Sequence, residues 1–388
     1  AIAQEGGIAP LVALVRDGTG SQKLKAVEAL GRLADSNDAN RIAIAQEGGI
    51  APLVALVRDG TDWQKENAAK ALGRLADGND ANRIAIAQEG GIAPLVALVQ
   101  HGSDSQKENA AEALGRLADG NDANRIAIAQ DGGIAPLVAL VRDGTDSQKE
   151  NAAEALGRLA DGNDANRIAI AQEGGITPLV ALVRDGTDWQ KGKAAEALGR
   201  LADGNDANLI AIAQDGGIAP LVALVRDGSF LKAENALEAL GRLADGNDAN
   251  RIAIAQEGGI APLVALVRDG TDDQKEKAAE ALGRLADGND ANRIAIAQEG
   301  GIAPLVALVR DGTDSQKENA AEALGRLADG NDANRIAIAQ EGGIAPLVAL
   351  VRDGTGSQKL KAVEALGRLA DSNDANRIAI AQEEWSLQ

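Results

Sequence analysis

The sequence predicts an all-α fold, a solenoid in which short helices stack on one another. A unit of 42 residues recurs nine times between residues 1 and 378, almost without change in length. Its commonest form occupies residues 295–336, and a period of this size is typical of stacked-repeat proteins. Within each unit, three segments space their apolar residues as helices do and are separated by glycine. These observations predict nine repeats of three helices each.

The longest predicted helix of each unit runs from position 20 to position 35, counting Ala1 as position 1. In the first unit, Thr19 and Gln22 have the spacing of a capping box, which marks the helix start. Apolar residues at positions 26, 27, 30, 33 and 34 form a single stripe along it. Position 31 is glycine, and a glycine inside a helix costs about 1 kcal/mol relative to alanine. We therefore expect another helix to approach closely there.

Two shorter helices complete the unit. One begins near position 38, after an asparagine, crosses into the next unit and ends at a Gly-Gly pair. The other reads IAPLVALVRD, with Pro10 in its first turn, where a missing N–H costs little, and Gly18 at its end. Helices this short are marginal in water on their own, so we expect packing between units to stabilise them.

The repeat predicts one solenoid over residues 1–378, followed by a partial tenth-repeat helix and a C-terminal tail over residues 379–388. The first and ninth units are identical, and all nine are nearly so. This near-identity indicates recent duplication or deliberate assembly.

The charge of the chain limits its partners. Its 39 Lys and Arg residues against 58 Asp and Glu residues give a net charge of −19. Duplex nucleic acid and anionic membranes both require basic residues, so neither is expected to bind, whereas a basic peptide is complementary. The chain has no cysteine and one histidine, and every unit repeats the same carboxylates, so we expect no catalytic, metal or cofactor site. We expect a monomer located in the cytoplasm or nucleus.

Three helices in 42 residues, with GGIAPLVALVRDG followed by ENAAEALGRLA, resemble armadillo repeats. The resemblance covers 378 of the 388 residues. HEAT repeats, which usually have two helices and no glycine break, are a second and weaker resemblance. The armadillo resemblance implies a right-handed superhelical solenoid of nine three-helix repeats. It also implies that the third helices, here the long ones, line a concave groove that holds an extended peptide.

Positions 21, 25, 28 and 32 lie on one side of the long helix, opposite the apolar stripe. In the armadillo family this side is the groove face, where Trp at the position matching 28 and Asn at the position matching 32 often bind the peptide. This chain instead has Arg at position 32 in every unit and Glu at position 28 in eight, with Lys70 in the second. Two compatible interpretations remain open: ion pairs between residues four apart, or a charge ladder that binds a ligand.

Differences among the units concentrate on this face. Units two to eight differ from the commonest unit there at Trp63, Lys70, Trp189, Lys193, Leu231, Asp273 and Lys277. Because tryptophan is a favoured anchor at interfaces, Trp63 and Trp189 are predicted to contact a ligand. With the charge ladder included, the predicted peptide-binding residues are Trp63, Lys70, Arg74, Glu112, Arg116, Glu154, Arg158, Trp189, Lys193, Glu196, Arg200, Leu231, Glu238, Arg242, Asp273, Lys277, Glu280 and Arg284.

The sixth unit differs most from the others. Phe230 and Leu231 begin its long helix, where they either repack a local core or form a second apolar contact. Leu209, which stands where other units have Arg, is predicted to be an exposed apolar residue nearby.

From the sequence we expect an interaction module that binds an extended peptide or unstructured protein segment in the groove. The alternative is a structural or engineered repeat scaffold with no dedicated ligand.

Overall fold

The computed structural model describes residues 6–35, 37–228 and 230–386, with the backbone alone at residues 230–231 and 384–386. Regular structure in these residues consists of 27 α-helices of three kinds. The proline helices are Ile8–Asp17, Ile50–Asp59, Ile92–His101, Ile134–Asp143, Ile176–Asp185, Ile218–Asp227, Ile260–Asp269, Ile302–Asp311 and Ile344–Asp353. The long helices are Gly20–Ala34, Asp62–Ala76, Asp104–Ala118, Asp146–Ala160, Asp188–Ala202, Phe230–Ala244, Asp272–Ala286, Asp314–Ala328 and Gly356–Ala370. The linking helices are Asp38–Gln46, Asp80–Gln88, Asp122–Gln130, Asp164–Gln172, Asp206–Gln214, Asp248–Gln256, Asp290–Gln298, Asp332–Gln340 and Asp374–Ser386.

The described residues form two compact units, an N-terminal and a C-terminal one, which divide between Leu201 and Ala202. In each unit, successive long helices pack side by side, and long helices also pack on the proline helix of their own repeat. Their buried apolar residues are leucine, isoleucine, valine and alanine, such as Leu114 and Leu324. The predicted fold class, an all-α solenoid of three-helix repeats, is confirmed in both units. That residues 1–378 form one continuous solenoid stays a prediction.

Within each unit, long helices carry a glycine where the next long helix of that unit comes close. A Cβ atom placed on Gly157 would lie 3.2 Å from the Cα atom of Ala197, and one on Gly325 would lie 3.1 Å from the Cα atom of Ala365. Gly367, in the last repeat, has no atom within 4 Å of that position. The predicted close approach is therefore confirmed, and it explains why a residue that weakens a helix recurs inside one.

Buried amide side chains join successive repeats. The amide of Gln148 accepts from the N-terminal cap of its own helix and donates to the carbonyl of Asp104 in the preceding repeat, at 2.9 Å. Asn166 donates to the carbonyl of Leu159 at 2.9 Å and to that of Arg125, one repeat earlier, at 3.3 Å. Displacing a buried amide leaves polar groups without partners, so these bonds fix how one repeat sits on the next.

We predict that Gly325→Ala destabilises the chain although alanine favours helices. The added methyl group must push back the backbone of Ala365, and overpacking of this kind costs about 1–3 kcal/mol. The measurement is the urea midpoint of unfolding, which should fall. Gly367→Ala is the matched control: nothing obstructs its methyl group, so stability should rise by up to about 1 kcal/mol. Equal shifts in both variants would contradict the close approach.

Candidate functional site

The long-helix face consists of the side chains at positions 21, 25, 28 and 32 of each long helix. Position 21, in the first turn, is exposed in several repeats. Trp63 and Trp189 are 66% and 64% exposed, and Asp273 at the same position is exposed as well. Lys70, at position 28 of the second repeat, is also exposed. The face therefore presents two exposed indole rings and an exposed ammonium group in the N-terminal unit.

Most other residues of the face are less exposed than predicted. The Glu154 and Arg158 side chains are about one-fifth exposed, and Asn109, at position 25, is buried. Positions 25, 28 and 32 are thus only partly exposed in most repeats. Neighbouring long helices meet at the glycine, and each partly covers the side chains of the other beside it. We call this line of contact, with positions 25, 28 and 32 along it, the seam.

Ion pairs within single long helices join positions 28 and 32, as the first interpretation predicted. They are Glu112–Arg116, Glu154–Arg158, Glu196–Arg200, Glu238–Arg242, Glu280–Arg284 and Glu322–Arg326. The nitrogen–oxygen distance is 2.6 Å in Glu280–Arg284 and 3.7 Å in Glu112–Arg116. An exposed pair of this spacing contributes about 0.3–0.5 kcal/mol.

Arginines of the ladder also pair with a carboxylate of the preceding repeat. The partner is the aspartate at position 35, which caps the C-terminus of the preceding long helix. Nη1 of Arg200 lies 2.5 Å from Oδ1 of Asp161. The same contact joins Asp35–Arg74, Asp77–Arg116, Asp119–Arg158, Asp203–Arg242 and Asp287–Arg326. These aspartates are not among the predicted site residues, although their presence in every repeat was a signal.

The same aspartates pair with a second arginine, from a linking helix. Oδ2 of Asp161 lies 3.2 Å from Nη2 of Arg125, which belongs to the preceding repeat. Asp287 likewise lies between Arg251 and Arg326, 3.7 Å from each. One carboxylate thereby joins three successive repeats, and it gives the buried linking-helix arginine the counter-charge that burial requires.

Lysines at position 25 add ion pairs across the seam. Nζ of Lys193 lies 2.9 Å from Glu154 in the preceding repeat, and Nζ of Lys277 lies 2.6 Å from Glu234. Burial alone would raise the pKa of Glu154, but Arg158 and Lys193 outweigh it and hold that pKa below its usual value. The predicted site residues Glu154, Arg158 and Lys193 are therefore brought together, as one cluster.

Leu209 is buried, with only 4% of its surface exposed, so its predicted exposure is wrong. It lies in a linking helix, at the position where seven other repeats bury an arginine: Arg41, Arg83, Arg125, Arg167, Arg251, Arg293 and Arg335. Because this position packs against the next repeat, whatever side chain stands there is covered. The side chains of Phe230 and Leu231 lie outside the described residues, and both interpretations of them stay predictions.

The chemistry available on the long-helix face is noncovalent binding by indole rings and paired charges. Within the described residues, no group of three or more His, Asp or Glu side chains is placed to hold a metal ion. No single helix in that part of the chain has the length and hydropathy of a membrane span. One pair bent by 79°, Asp206–Gln214 with Ile218–Asp227, meets that test jointly.

Comparisons with known proteins agree with this architecture. The family model of the Armadillo/beta-catenin-like repeat matches residues 79–119, 247–287 and 289–329, each of which holds a linking, a proline and a long helix in that order. The model of the HEAT-like repeat matches residues 104–159. A search of curated proteins gives no match. Among solved structures, the chain is similar to an engineered protein from the Northeast Structural Genomics Consortium, at 30% identity over 97% of this chain and 92% of that one, with a TM-score of 0.89.

We predict that Lys193→Asn, which installs the commonest residue of this position, weakens the seam in a pH-dependent way. The ionised Glu154 carboxylate has a lowered pKa, so its contribution to stability is complete above the unfolded pKa of about 4.3 and is lost as pH falls through the folded value. The variant should lose about 0.5–1 kcal/mol of unfolding free energy near neutral pH and less in acid, by urea titration.

The control for this prediction is the same substitution in a Glu154→Gln background. There, Lys193→Asn should change stability little at any pH, because its partner carries no charge. The same loss in both backgrounds would show that Lys193 does not act through Glu154.

Proposed function

Because the chain belongs to the armadillo repeat family, we propose that its long-helix face binds an extended peptide or an unstructured segment of another protein. Armadillo repeats generally mediate protein interactions. For this chain, the single observation that carries the finer proposal is the pair of exposed tryptophans, Trp63 and Trp189.

Both tryptophans stand at a position where five repeats have serine. About two-thirds of each side chain is exposed, which leaves a large apolar area in contact with water. Tryptophan is enriched among the residues that dominate binding energies, because a bound partner removes that area from water. Neighbouring helices are spaced about 8–10 Å apart, so two rings three repeats apart are separated by roughly 25–30 Å. About eight residues of extended chain cover that distance.

The charges between the two tryptophans favour a basic ligand. Arg116 is held between Asp77 and Glu112, and Arg158 lies between Asp119 and Glu154, so these guanidinium groups are already occupied. Several of the carboxylates remain well exposed, Asp119 most of all among these, and can accept hydrogen bonds from a ligand. Lysine and arginine side chains of a peptide are the complementary donors.

Near Trp63 the charge differs, because Lys70 is exposed and Arg74 is bound to Asp35 and to the carbonyl of Gly31. An acidic ligand residue fits at this end. We propose, therefore, that a ligand carries an acidic residue near Trp63 and basic residues from there towards Trp189.

This chain lacks the row of asparagines at position 32 that often binds the peptide backbone in the armadillo family. Arginine replaces asparagine at position 32, and the asparagines at position 25 are engaged: Asn67 donates to the carbonyl of Trp63 at 2.8 Å, and Asn109 to that of Ser105 at 2.7 Å. We propose that apolar and charged side chains of the ligand, rather than its backbone, provide most of the selectivity.

The second candidate is a repeat scaffold with no dedicated ligand. It is favoured by the charge ladder, whose ion pairs satisfy one another within and between repeats, and by the likeness to an engineered protein. An array of extended peptides, probed with the full chain at low and high salt, separates the two. Peptide binding predicts hits rich in lysine and arginine with apolar ends, weakened by salt. No hits even at low salt would favour the scaffold.

We predict that Trp63→Ser and Trp189→Ser each weaken binding of the best peptide by about tenfold or more, because each removes an apolar anchor. Serine is native to this position in other repeats, so folding should be unchanged by circular dichroism. Ser147→Ala, at the same position between the two tryptophans, is the matched control and should leave affinity unchanged. Parental affinity in both tryptophan variants would overturn the proposed anchors.

A further inference from the structure

A cavity of about 170 Å³ lies beside Leu209 in the C-terminal unit. Ala202, Asp206, Arg242 and Asp245 contribute to its lining. Its volume is far above the roughly 15 Å³ that a single water molecule requires, so a larger polar group fits there.

In other repeats, the corresponding space is filled by a buried arginine. Nε of Arg41 donates to the carbonyl of Ala34 at 2.9 Å, Nη1 donates to Asp38, and Nη2 lies 3.5 Å from Asp77 in the next repeat. A carbonyl and two carboxylates thus surround one guanidinium group. The carboxylate contacts recur at Arg125, Arg251, Arg293 and Arg335.

Four repeats after Arg41, the residues that surround the guanidinium group are present but the arginine is replaced by leucine. Ala202, Asp206 and Asp245 occupy the positions of that carbonyl and those two carboxylates, and Leu209 occupies the position of the guanidinium-bearing side chain. Leucine has no donor to offer. Among the described residues, no ion pair joins a cation to Asp206 or Asp245, and both side chains are exposed and can be reached from solvent.

The arginine that lines the cavity does not take the place of the buried arginine found in other repeats. Arg242 lines the cavity, but its Nη2 lies 2.6 Å from Glu238 and its Nη1 lies 3.8 Å from Asp203. With Asp203, Asp206 and Asp245, the lining carries three carboxylates and one guanidinium, which leaves it negative.

We propose that this cavity binds a guanidinium group supplied from outside, by an arginine side chain of a partner protein. A planar fork of N–H donors matches two carboxylates and a carbonyl that elsewhere in the chain hold the same group. The compact ammonium group of lysine cannot reach all three acceptors at once. The site does not depend on Trp63 or Trp189, which lie in the N-terminal unit.

Isothermal titration of the full chain with Nα-acetyl-arginine amide tests the proposal. The parent should bind it, and Nα-acetyl-lysine amide should bind at least about tenfold more weakly. Equal binding of the arginine and lysine compounds would overturn the proposal.

Leu209→Arg is the decisive variant, since it restores the residue that seven other repeats bury. It should abolish the binding and raise the thermal midpoint of unfolding, whereas binding as strong as in the parent would overturn the site. Asp245→Asn should weaken binding about tenfold. Asp287→Asn makes the same change one repeat later, where Arg251 already fills the site, and this variant should bind like the parent. Trp63→Ser should also bind like the parent. Weaker binding in either variant would show that the arginine compound binds elsewhere.

Discussion

Within each unit, long helices approach so closely at a glycine that at most of these contacts an added methyl group would press on the neighbouring backbone, and the rest of the structure depends on that contact. A Cβ atom at Gly115 would lie 3.3 Å from the Cα atom of Ala155. At this separation, side chains beside the glycine touch both helices at once. Glu154 and Arg158 therefore become bridging residues, although on an isolated helix they would be exposed. Because of the close contact, an ion pair that would lie on the surface of an isolated helix instead links two repeats.

The contact between repeats combines apolar packing with buried hydrogen bonds and ion pairs. Gln148, Asn166 and Asp161 each form bonds to a neighbouring repeat, and each is accompanied by leucine and alanine packing beneath. Apolar packing is non-directional, so it supplies stability without selecting a register. The hydrogen bonds and ion pairs select it, since a shift of one residue would leave several buried donors without acceptors. We infer that polar bonds specify how repeats align, and apolar burial stabilises the alignment.

Much of the local structure could be predicted from sequence because its causes are local. Pro10 lies in the first turn of the first proline helix and Gly18 ends it, as expected. Thr19 and Gln22 form the predicted capping box. The glycine inside the long helix predicted a close helix contact, because a glycine there lowers helix stability unless another contact compensates for it. The seam was not predictable, because a helical wheel describes one helix and exposure at Arg158 depends on the distance to the next. Leu209 was misjudged for the same reason: its cover comes from the following repeat.

Exposure of the face thus depends on the spacing of the helices. Position 21 escapes cover because it lies in the first turn, ten residues before the glycine contact. A crystal structure of the chain measures that spacing most directly. We expect the Cα atom of Ala155 against Gly115 with no side chain between them, the Arg158 guanidinium between Glu154 and Asp119, and the Trp63 and Trp189 rings in solvent or on a ligand. Long helices held apart by intervening side chains, with Arg158 free in solvent, would contradict the account.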